Sequence, residues 1–448
     1  MTPRRRRRVF AVVGGALFGL LLLAVVGAVL YLRPIAPIAT GYAAKLVCST
    51  HFVTGSPVPD AVDDLPDNPL VPALQMRLDD DAVRVSLLGL WPSTAYFTPG
   101  RGCTLSRQGR PDRQPLTPPA GVGRWPRAGV ESDAIDAAID RAFTDDPAEG
   151  VTRRTRALLV VHDGRLIAER YADGFSADTP MLGWSMTKSI AGALTGIMVD
   201  RGDIDLEQSG VVPGPEDGRE DITVEHLLHM TPGLAFEEVY EPPSDVTHML
   251  FASDDVAARA ADEPLEHAPG AAWHYSSGTT NLLCAALQEA AGGGPETAAL
   301  ARDLLFAPLG MHSALLETDA AGNLVCSSFA YARARDWARL GQLYLDDGRW
   351  GGQRVLPEGW VELTTTPVAG ASPGYGAQWW LNTDAEGNVR LPQMPGDAFW
   401  AAGNSGQNVV VLPSHDTVIV RLGLDAGYES SVDWGLEPFV RDVVAALE

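Results

Sequence analysis

Lysine is almost missing from this chain. The 448 residues include only two lysines, Lys45 and Lys188, against 32 arginines. Positive charge as a whole is scarce: the net charge is −23, and because five cations form the run Arg4 to Arg8, the remainder of the chain carries −28. Nothing beyond that run could neutralise a phosphate backbone, so the composition excludes a nucleic-acid partner.

Several motifs of other protein classes are also missing. No Cys/His spacing suggests a metal site, and His226 and His229, three residues apart, have no acidic third ligand in register, so packing or capping roles are expected for them. No metal or other cofactor is predicted. A phosphate-binding glycine loop is absent. The G-x-S-x-G pattern of α/β-hydrolases does not fit at Ser185, because no closing glycine follows Met186-Thr187.

A long apolar run follows the arginines. Val9 to Leu32 has no charged residue, and its 24 residues would span about 36 Å as a helix, enough to cross a bilayer. The run ends in large residues rather than at a small-x-small cleavage site, which favours an uncleaved anchor. Positive charge just before the span predicts a cytoplasmic tail at 1–8, a membrane segment at 9–32, and everything after Arg33 outside the cytoplasm. The sequence therefore predicts a single-pass cell-membrane protein.

The segment after the anchor, 33–106, reads as a small accessory region. From about Ala43 its pattern is short and strand-like, and a disulfide between Cys48 and Cys103 would close it in an oxidising compartment. Buried free thiols are at least as good an interpretation of Cys284 and Cys326 as a second bridge. A proline-rich linker is predicted at 107–130 and the main domain at 131–448.

The main domain is predicted to be α+β. An antiparallel sheet should form from both ends of the domain, flanked by helices and interrupted by a mostly helical insertion. Helices are expected from Ser132, at 185–199 and at 434–447, and strands at 157–161, 166–171, 376–381, 399–402, 408–412 and 417–422.

Ser185 and Lys188 form an S-x-x-K pattern at the start of the predicted buried helix. One helical turn places the amine over the hydroxyl, and a neutral amine can take the serine proton. Arginine has replaced lysine almost everywhere else in the chain. Because arginine stays protonated and cannot act as a general base, a lysine that must lose its proton resists that replacement. The pattern predicts a nucleophile and its base.

Two further segments could complete such a site. Tyr275, in Tyr275-Ser276-Ser277-Gly278, carries a hydroxyl that can relay a proton, although a loop role is the simpler interpretation of the tyrosine alone. The strand that contains Trp400 runs into the turn Gly403-Asn404-Ser405-Gly406, where an amide could pair with the Ser185 amide as an oxyanion hole. A plain hairpin turn is an equally good reading of that segment.

Together these motifs resemble the serine β-lactamase-like superfamily of class C type, in its branch of 6-aminohexanoate-dimer hydrolases and esterases. The resemblance covers about 131–448 and rests on these segments: 185–188, 223–234, 275–278, 375–380 and 403–407. It implies an acyl-enzyme on Ser185, proton transfer by Lys188 and Tyr275, and an oxyanion held by the Ser185 amide and one from Gly403 or Asn404.

Two departures from the family pattern bear on substrate. The third position of the family's Tyr-x-Asn motif is Ser277 here, and the Lys-Thr-Gly triplet that binds penicillin carboxylates appears as Trp400-Ala401-Ala402, without a cation. Losing that charge-assisted contact costs roughly 1.5–3 kcal/mol. A small neutral ester or amide is therefore the expected substrate, with a cell-wall D-amino-acid peptide hydrolase, or a non-catalytic membrane-tethered binding or sensor protein, as the alternatives.

Overall fold

The computed structural model describes residues 3–119, 125–126, 132–145, 152–425 and 434–448. Glu131, the expected start of the main domain, and parts of the expected linker lie outside these ranges. Within them the α-helices are α1 (Pro3–Leu32), α2 (Ala36–Ser49), α3 (Val58–Asp63), α4 (Asp133–Phe143), α5 (Thr187–Asp200), α6 (Val224–Leu228), α7 (Asp245–Ala252), α8 (Val256–Ala261), α9 (Ser277–Ala290), α10 (Ala307–Leu309), α11 (Ala334–Leu345), α12 (Trp360–Thr365) and α13 (Leu436–Leu447).

The strands pair throughout in antiparallel fashion. They are β1 (Leu74–Asp79), β2 (Ala82–Leu87), β3 (Leu90–Thr98), β4 (Gly102–Ser106), β5 (Thr155–His162), β6 (Arg165–Tyr171), β7 (Met181–Leu182), β8 (Leu315–Leu316), β9 (Ala330–Ala332), β10 (Arg349–Trp350), β11 (Gln353–Arg354), β12 (Trp380–Leu381), β13 (Phe399–Gly403), β14 (Gln407–Leu412) and β15 (Thr417–Gly423).

The central sheet has six strands in the order β12-β13-β14-β15-β5-β6. The expected α+β architecture is therefore present: the hairpin from the start of the main domain joins the hairpins from its end. Alternation along β13 sends Phe399 and Ala401 into the larger core, which contains α5, α9 and α11, while Trp400 and Ala402 point into the smaller core under α4 and α13. The predicted strand at 376–381 shortens to β12.

The expectation that the accessory region is strand-like from about Ala43 is wrong for its first part. Residues 36–49 form α2, and the four-stranded sheet β1–β4 begins only at Leu74. Pro37 in the first turn and the alanines that follow favour a helix. The helix is buried on two sides, between this sheet and α7, so its apolar positions do not show a one-sided period. A Cβ on Gly41 would lie 1.9 Å from the Phe251 carbonyl oxygen, so glycine permits this close contact between helices.

All four cysteines are paired. Cys48 of α2 is bonded to Cys103 of β4, and Cys284 of α9 is bonded to Cys326. The sequence alone allowed either free thiols or a bridge for the second pair. The bridge joins residues 42 positions apart in the helical part of the main domain.

The N-terminal helix α1 is the candidate membrane segment. Over Gly15–Leu32 it is long and apolar enough to cross a membrane, and none of that stretch is buried against the rest of the protein. Signal sequences meet the same criterion of length and composition. Three residues separate the end of α1 from the start of α2.

Candidate active site

The turn that carries Ser185 is held in an unusual backbone conformation. Residues Gly183, Trp184 and Ser185, here called the nucleophile turn, lead from β7 into α5. Trp184 has a φ of +47°, a left-handed conformation that costs a bulky residue on the order of 1–3 kcal/mol. A Cβ on Gly183 would lie 2.3 Å from the Trp337 ring, so only glycine fits against that side chain. Surrounding packing therefore fixes the direction of the Ser185 side chain.

Lys188 is almost completely buried one helical turn beyond Ser185. Its side chain is 1% exposed. The Nζ atom donates to Ser185 Oγ at 3.0 Å, to Ser277 Oγ at 3.0 Å and to the Ser327 carbonyl oxygen at 3.1 Å. The structure thus brings Ser185, Lys188 and Ser277 together, although Ser277 lies 89 residues further along the chain.

The partners of Lys188 decide where its lone pair points when the amine is neutral. Ser277 Oγ donates its own proton to Glu238 Oε1 at 2.6 Å, so it can only accept from Lys188. The Ser327 carbonyl is likewise only an acceptor. The two N–H groups of a neutral amine are therefore committed to Ser277 and Ser327, and the lone pair faces Ser185 Oγ. This is the arrangement a general base requires.

Burial tunes the same amine for that role. Desolvation lowers the pKa of Lys188 from 10.5 to about 8, and the nearby Glu238 carboxylate acts in the opposite direction. At pH 7 about one amine in ten is then neutral, whereas an ordinary lysine would be almost wholly protonated.

Tyr275 faces this pair from the loop before α9. The centre of its ring lies 4.8 Å from Lys188 Nζ. Burial raises the pKa of Tyr275 well above its ordinary value, and its contact with Ser185 offsets only part of that rise. The phenol is therefore protonated at neutral pH, which suits it to donate a proton rather than to remove one.

Gly403, at the start of the glycine-rich turn, lies close to the backbone of the nucleophile turn. A Cβ on Gly403 would lie 2.1 Å from the Gly183 carbonyl oxygen and 3.1 Å from the Trp184 Cβ, so the end of β13 lies directly against the nucleophile turn. Asn404 is exposed, and its Oδ1 accepts from Ser405 Oγ. Trp400 is buried in the smaller core, so the structure does not bring its side chain to Ser185.

Sequence reasoning missed Glu238. Its two carboxylate oxygens accept from the Ser277 amide at 2.7 Å and from the Ser277 hydroxyl at 2.6 Å. The residue belongs to the loop before α7, 39 residues from Ser277, and no local motif marks it. Ser327 was missed too, because it contributes a main-chain carbonyl that any residue could supply.

Three aromatic side chains form a wall beside Tyr275. Between ring centres, Trp380 lies 5.0 Å and Tyr375 lies 5.7 Å from Tyr275. Trp273 lies 5.6 Å from Tyr375. The sequence had marked 375–380 only as a family-like segment. Tyr375 is buried, whereas Trp273 and Trp380 are half-buried and give the surroundings of Tyr275 an apolar surface.

His226 and His229 each contact a nearby residue of α6 or its N-cap. The His226 ring accepts from the Thr223 amide and so caps α6, while His229 lies 3.9 Å from Glu225. Over the described ranges, no three His, Cys, Asp or Glu side chains are grouped as they would be around a metal ion.

Comparison with known proteins places this geometry in a family. Residues 139–429, more than half of the chain, match the sequence profile described as Beta-lactamase. The chain belongs to the beta-lactamase family. The chain is therefore a serine hydrolase of this family, in agreement with its S-x-x-K pair. The resemblance predicted from the motifs is confirmed.

Several proteins similar to this chain carry the names of hydrolases. The 6-aminohexanoate-dimer hydrolase of Paenarthrobacter ureafaciens is 28% identical over 345 residues, which cover 67% of this chain and 84% of that protein. A Bacillus anthracis structure provisionally named as a 6-aminohexanoate-dimer hydrolase aligns with a TM-score of 0.59 at 22% identity, over 74% of this chain and 89% of its own. A family VIII carboxylesterase shares the fold with a TM-score of 0.55 at 15% identity, over 71% of this chain and 99% of the esterase.

Proposed function

We propose that this serine hydrolase cleaves a neutral ester or amide through an acyl-enzyme on Ser185, and that it is anchored in the cell membrane with its catalytic domain outside the cytoplasm. The observation that carries the catalytic part is the set of three contacts around Lys188, which leaves the lone pair of a neutral amine for Ser185.

The proposed reaction uses groups already in contact. Ser185 Oγ attacks the substrate carbonyl carbon while its proton passes to Lys188 Nζ. The resulting oxyanion is held by the backbone N–H groups of Ser185 and Gly403, the residue of the glycine turn that lies against the nucleophile turn. When the carbon–leaving-group bond breaks, Tyr275 protonates the departing alcohol or amine, and the Lys188 ammonium returns a proton to Tyr275, which leaves the amine neutral again. Water then attacks the acyl-enzyme and gives one proton to Lys188, which passes it to Ser185 Oγ as the acid is released.

The proposed substrate class follows from what lines the site. The position of the family's carboxylate-binding lysine is Trp400, whose side chain is buried away from Ser185. The aromatic wall of Trp273, Tyr375 and Trp380 offers an apolar surface, and Glu238 places a carboxylate behind Ser277. These features favour a neutral substrate over one that carries a carboxylate next to the scissile bond. The names of the amide- and ester-cleaving relatives support the same class.

The proposed location has two independent supports. The stretch Gly15–Leu32 is apolar and unburied, and it follows the run of arginines. Both cysteine pairs are disulfides, which persist in oxidising compartments. Recovery of the chain in carbonate-washed membranes, with digestion of its main domain by protease added outside intact cells, is the expected result. Release into the medium with residues 1–33 removed would contradict the anchor.

Catalysis is tested with the full-length chain in detergent. We expect hydrolysis of short p-nitrophenyl esters, labelling of Ser185 by a fluorophosphonate, and loss of more than about a thousandfold in kcat for Ser185→Ala and Lys188→Arg. Ser176→Ala, at an exposed loop serine, is the matched control and should keep full activity.

Each other outcome points to a different function. Activity that survives Ser185→Ala would move the site elsewhere. Faster turnover of D-alanyl peptides than of esters would favour the cell-wall peptide hydrolase. A parent protein with neither turnover nor labelling would favour the binding or sensor protein.

A further inference from the structure

The second lysine of the chain, Lys45, has no part in the proposed chemistry, yet it too is buried. It lies on α2 and is 2% exposed. Its Nζ donates to Glu317 and to the Cys103 carbonyl, and it lies 4.4 Å from the centre of the Phe329 ring. These contacts converge on one compact ammonium group, which the planar guanidinium of an arginine would not reproduce.

Glu317 joins the N-terminal region to the main domain. It follows β8, is fully buried, and accepts from three groups of the N-terminal region: Lys45, the Ser49 hydroxyl at 2.8 Å and the Cys103 amide at 2.6 Å. A Cβ on Gly102 would lie 2.2 Å from the same carboxylate, so glycine is required beside it. A buried ion pair satisfied on all sides fixes the position of α2 along the main domain.

On the same face of α2, one turn before Lys45, Tyr42 reaches the nucleophile turn. Its ring is stacked on the Trp184 ring at 6.5 Å with an angle of 24° between planes, and it meets Phe251 edge-on at 4.7 Å. The ring of Phe329, which lies beneath Lys45, is 6.2 Å from the Trp184 ring and 6.1 Å from the Phe251 ring between centres. The N-terminal region therefore contacts the residue that immediately precedes Ser185.

We infer that α2 is part of the catalytic apparatus, with Tyr42 as a positioning residue that holds Trp184, and through it Ser185, while the Lys45–Glu317 pair holds α2 in place. The inference rests on the proposed role of Ser185 as nucleophile. The left-handed backbone at Trp184 is what makes such support necessary, because that conformation persists only where neighbouring groups enforce it.

A cavity lies beside this contact. It has a volume of about 60 Å³ and is lined in part by Tyr42, Leu46, Trp184 and Ser405. Removing the Tyr42 ring enlarges this space and leaves Trp184 free to move into it, which would turn the Ser185 hydroxyl away from Lys188. A displacement of about 1 Å at a reacting group costs up to a hundredfold in rate.

The experiment compares Tyr42→Ala, Tyr42→Phe and Phe52→Ala in the full-length chain in detergent. Phe52 is the matched control, because it stacks on Phe97 within the N-terminal region, 5.0 Å between ring centres, and has no contact with Trp184 among the aromatic pairs described. The readouts are kcat and KM for a short p-nitrophenyl ester, the rate of fluorophosphonate labelling at Ser185, and the melting temperature.

We expect Tyr42→Ala to lower kcat and the labelling rate by about 10- to 100-fold with little change in KM, and Tyr42→Phe to restore both to within about twofold. Phe52→Ala should lower the melting temperature and leave kcat of the folded protein unchanged. If Tyr42→Ala does not fold, Tyr42→Leu, which fills part of the space but lacks the ring, should show a smaller loss of kcat in the same direction.

Unchanged kcat and labelling in the folded Tyr42→Ala or Tyr42→Leu protein would overturn the positioning role while leaving the proposed function intact. An equal loss of kcat in Phe52→Ala would overturn it as well, because the effect would then follow stability alone. A parent enzyme that is not labelled at Ser185 would instead overturn the proposed function and this inference together.

Discussion

Replacing Glu238 with glutamine would change the pH at which the proposed base becomes active. Lys188 must be neutral to take the proton of Ser185, so kcat/KM should rise with pH through the pKa of Lys188, about 8, and level off above it. The Glu238 carboxylate favours the protonated amine and raises that pKa. Without the carboxylate, the pKa of Lys188 falls and the rising limb moves to lower pH.

The size of this pKa shift can be estimated from the distance between the two charges. Ser277 Oγ lies 3.0 Å from Lys188 Nζ and 2.6 Å from Glu238 Oε1, so the two charges are at most about 6 Å apart. At an effective dielectric constant of about 20, their attraction is roughly 3 kcal/mol, or about two pH units. Glu238 is half-buried, and screening by solvent should reduce the shift to about one unit.

The assay is the pH profile of kcat/KM for a neutral ester between about pH 5 and 10, with Glu237→Gln as the control. Glu237 is adjacent and exposed, so its replacement removes the same charge from the loop without touching Ser277. We expect the rising limb of kcat/KM to move to lower pH by about one unit in Glu238→Gln and to stay in place in Glu237→Gln. The plateau should also fall, since an amide cannot accept both Ser277 hydrogen bonds. A limb that stays near pH 8 in Glu238→Gln would refute the coupling of this carboxylate to the base.

Three further substitutions test other parts of the structure. Gly403→Ala would bring a Cβ within 2.1 Å of a carbonyl oxygen of the nucleophile turn and should lower kcat more than tenfold, whereas Gly396→Ala, with its nearest neighbour at 3.7 Å, should be neutral in the same ester assay. Cys284→Ala opens the 42-residue disulfide loop and should cost about 4 kcal/mol of unfolding free energy in a urea titration; an unchanged midpoint would argue against the bridge. Lys45→Met leaves a buried carboxylate without its cation and should cost about 3–5 kcal/mol, of which Glu317→Gln in the same chain should restore a large part; further destabilisation would contradict the ion pair.

Local patterns predicted the elements whose signal lies within one stretch of sequence. Ser185 and Lys188 are one helical turn apart, so their contact follows from the helix itself. The hairpin β5–β6 and the strands β13–β15 are short runs rich in apolar and β-branched residues, and their predicted bounds differ from the observed ones by no more than two residues. In these places local preference and the final fold agree.

Features that depend on distant partners could not be read from the sequence. Glu238 acquires its role only because the loop before α7 passes the start of α9, and the run Glu237-Glu238 looks like any solvated pair of charges. Helix α2 was mistaken for strand because it is buried between a sheet and another helix, which removes the one-sided period that identifies surface helices. The wrong expectation and the missed residue have the same physical cause: tertiary contacts, not local propensity, decide them.

Because both lysines are enclosed, the folded surface carries no side-chain ammonium group at all. A lysine-specific endoproteinase can therefore cut this chain only after it opens, and only at two peptide bonds. Cleavage after Lys45 would record the release of α2 from the main domain, and cleavage after Lys188 would record the opening of α5. The two events yield fragments of different length, so a single gel separates the detachment of the N-terminal region from the unfolding of the enzyme's centre. The scarcity of lysine thus provides one cleavage site that reports on the packing of α2 and one that reports on α5.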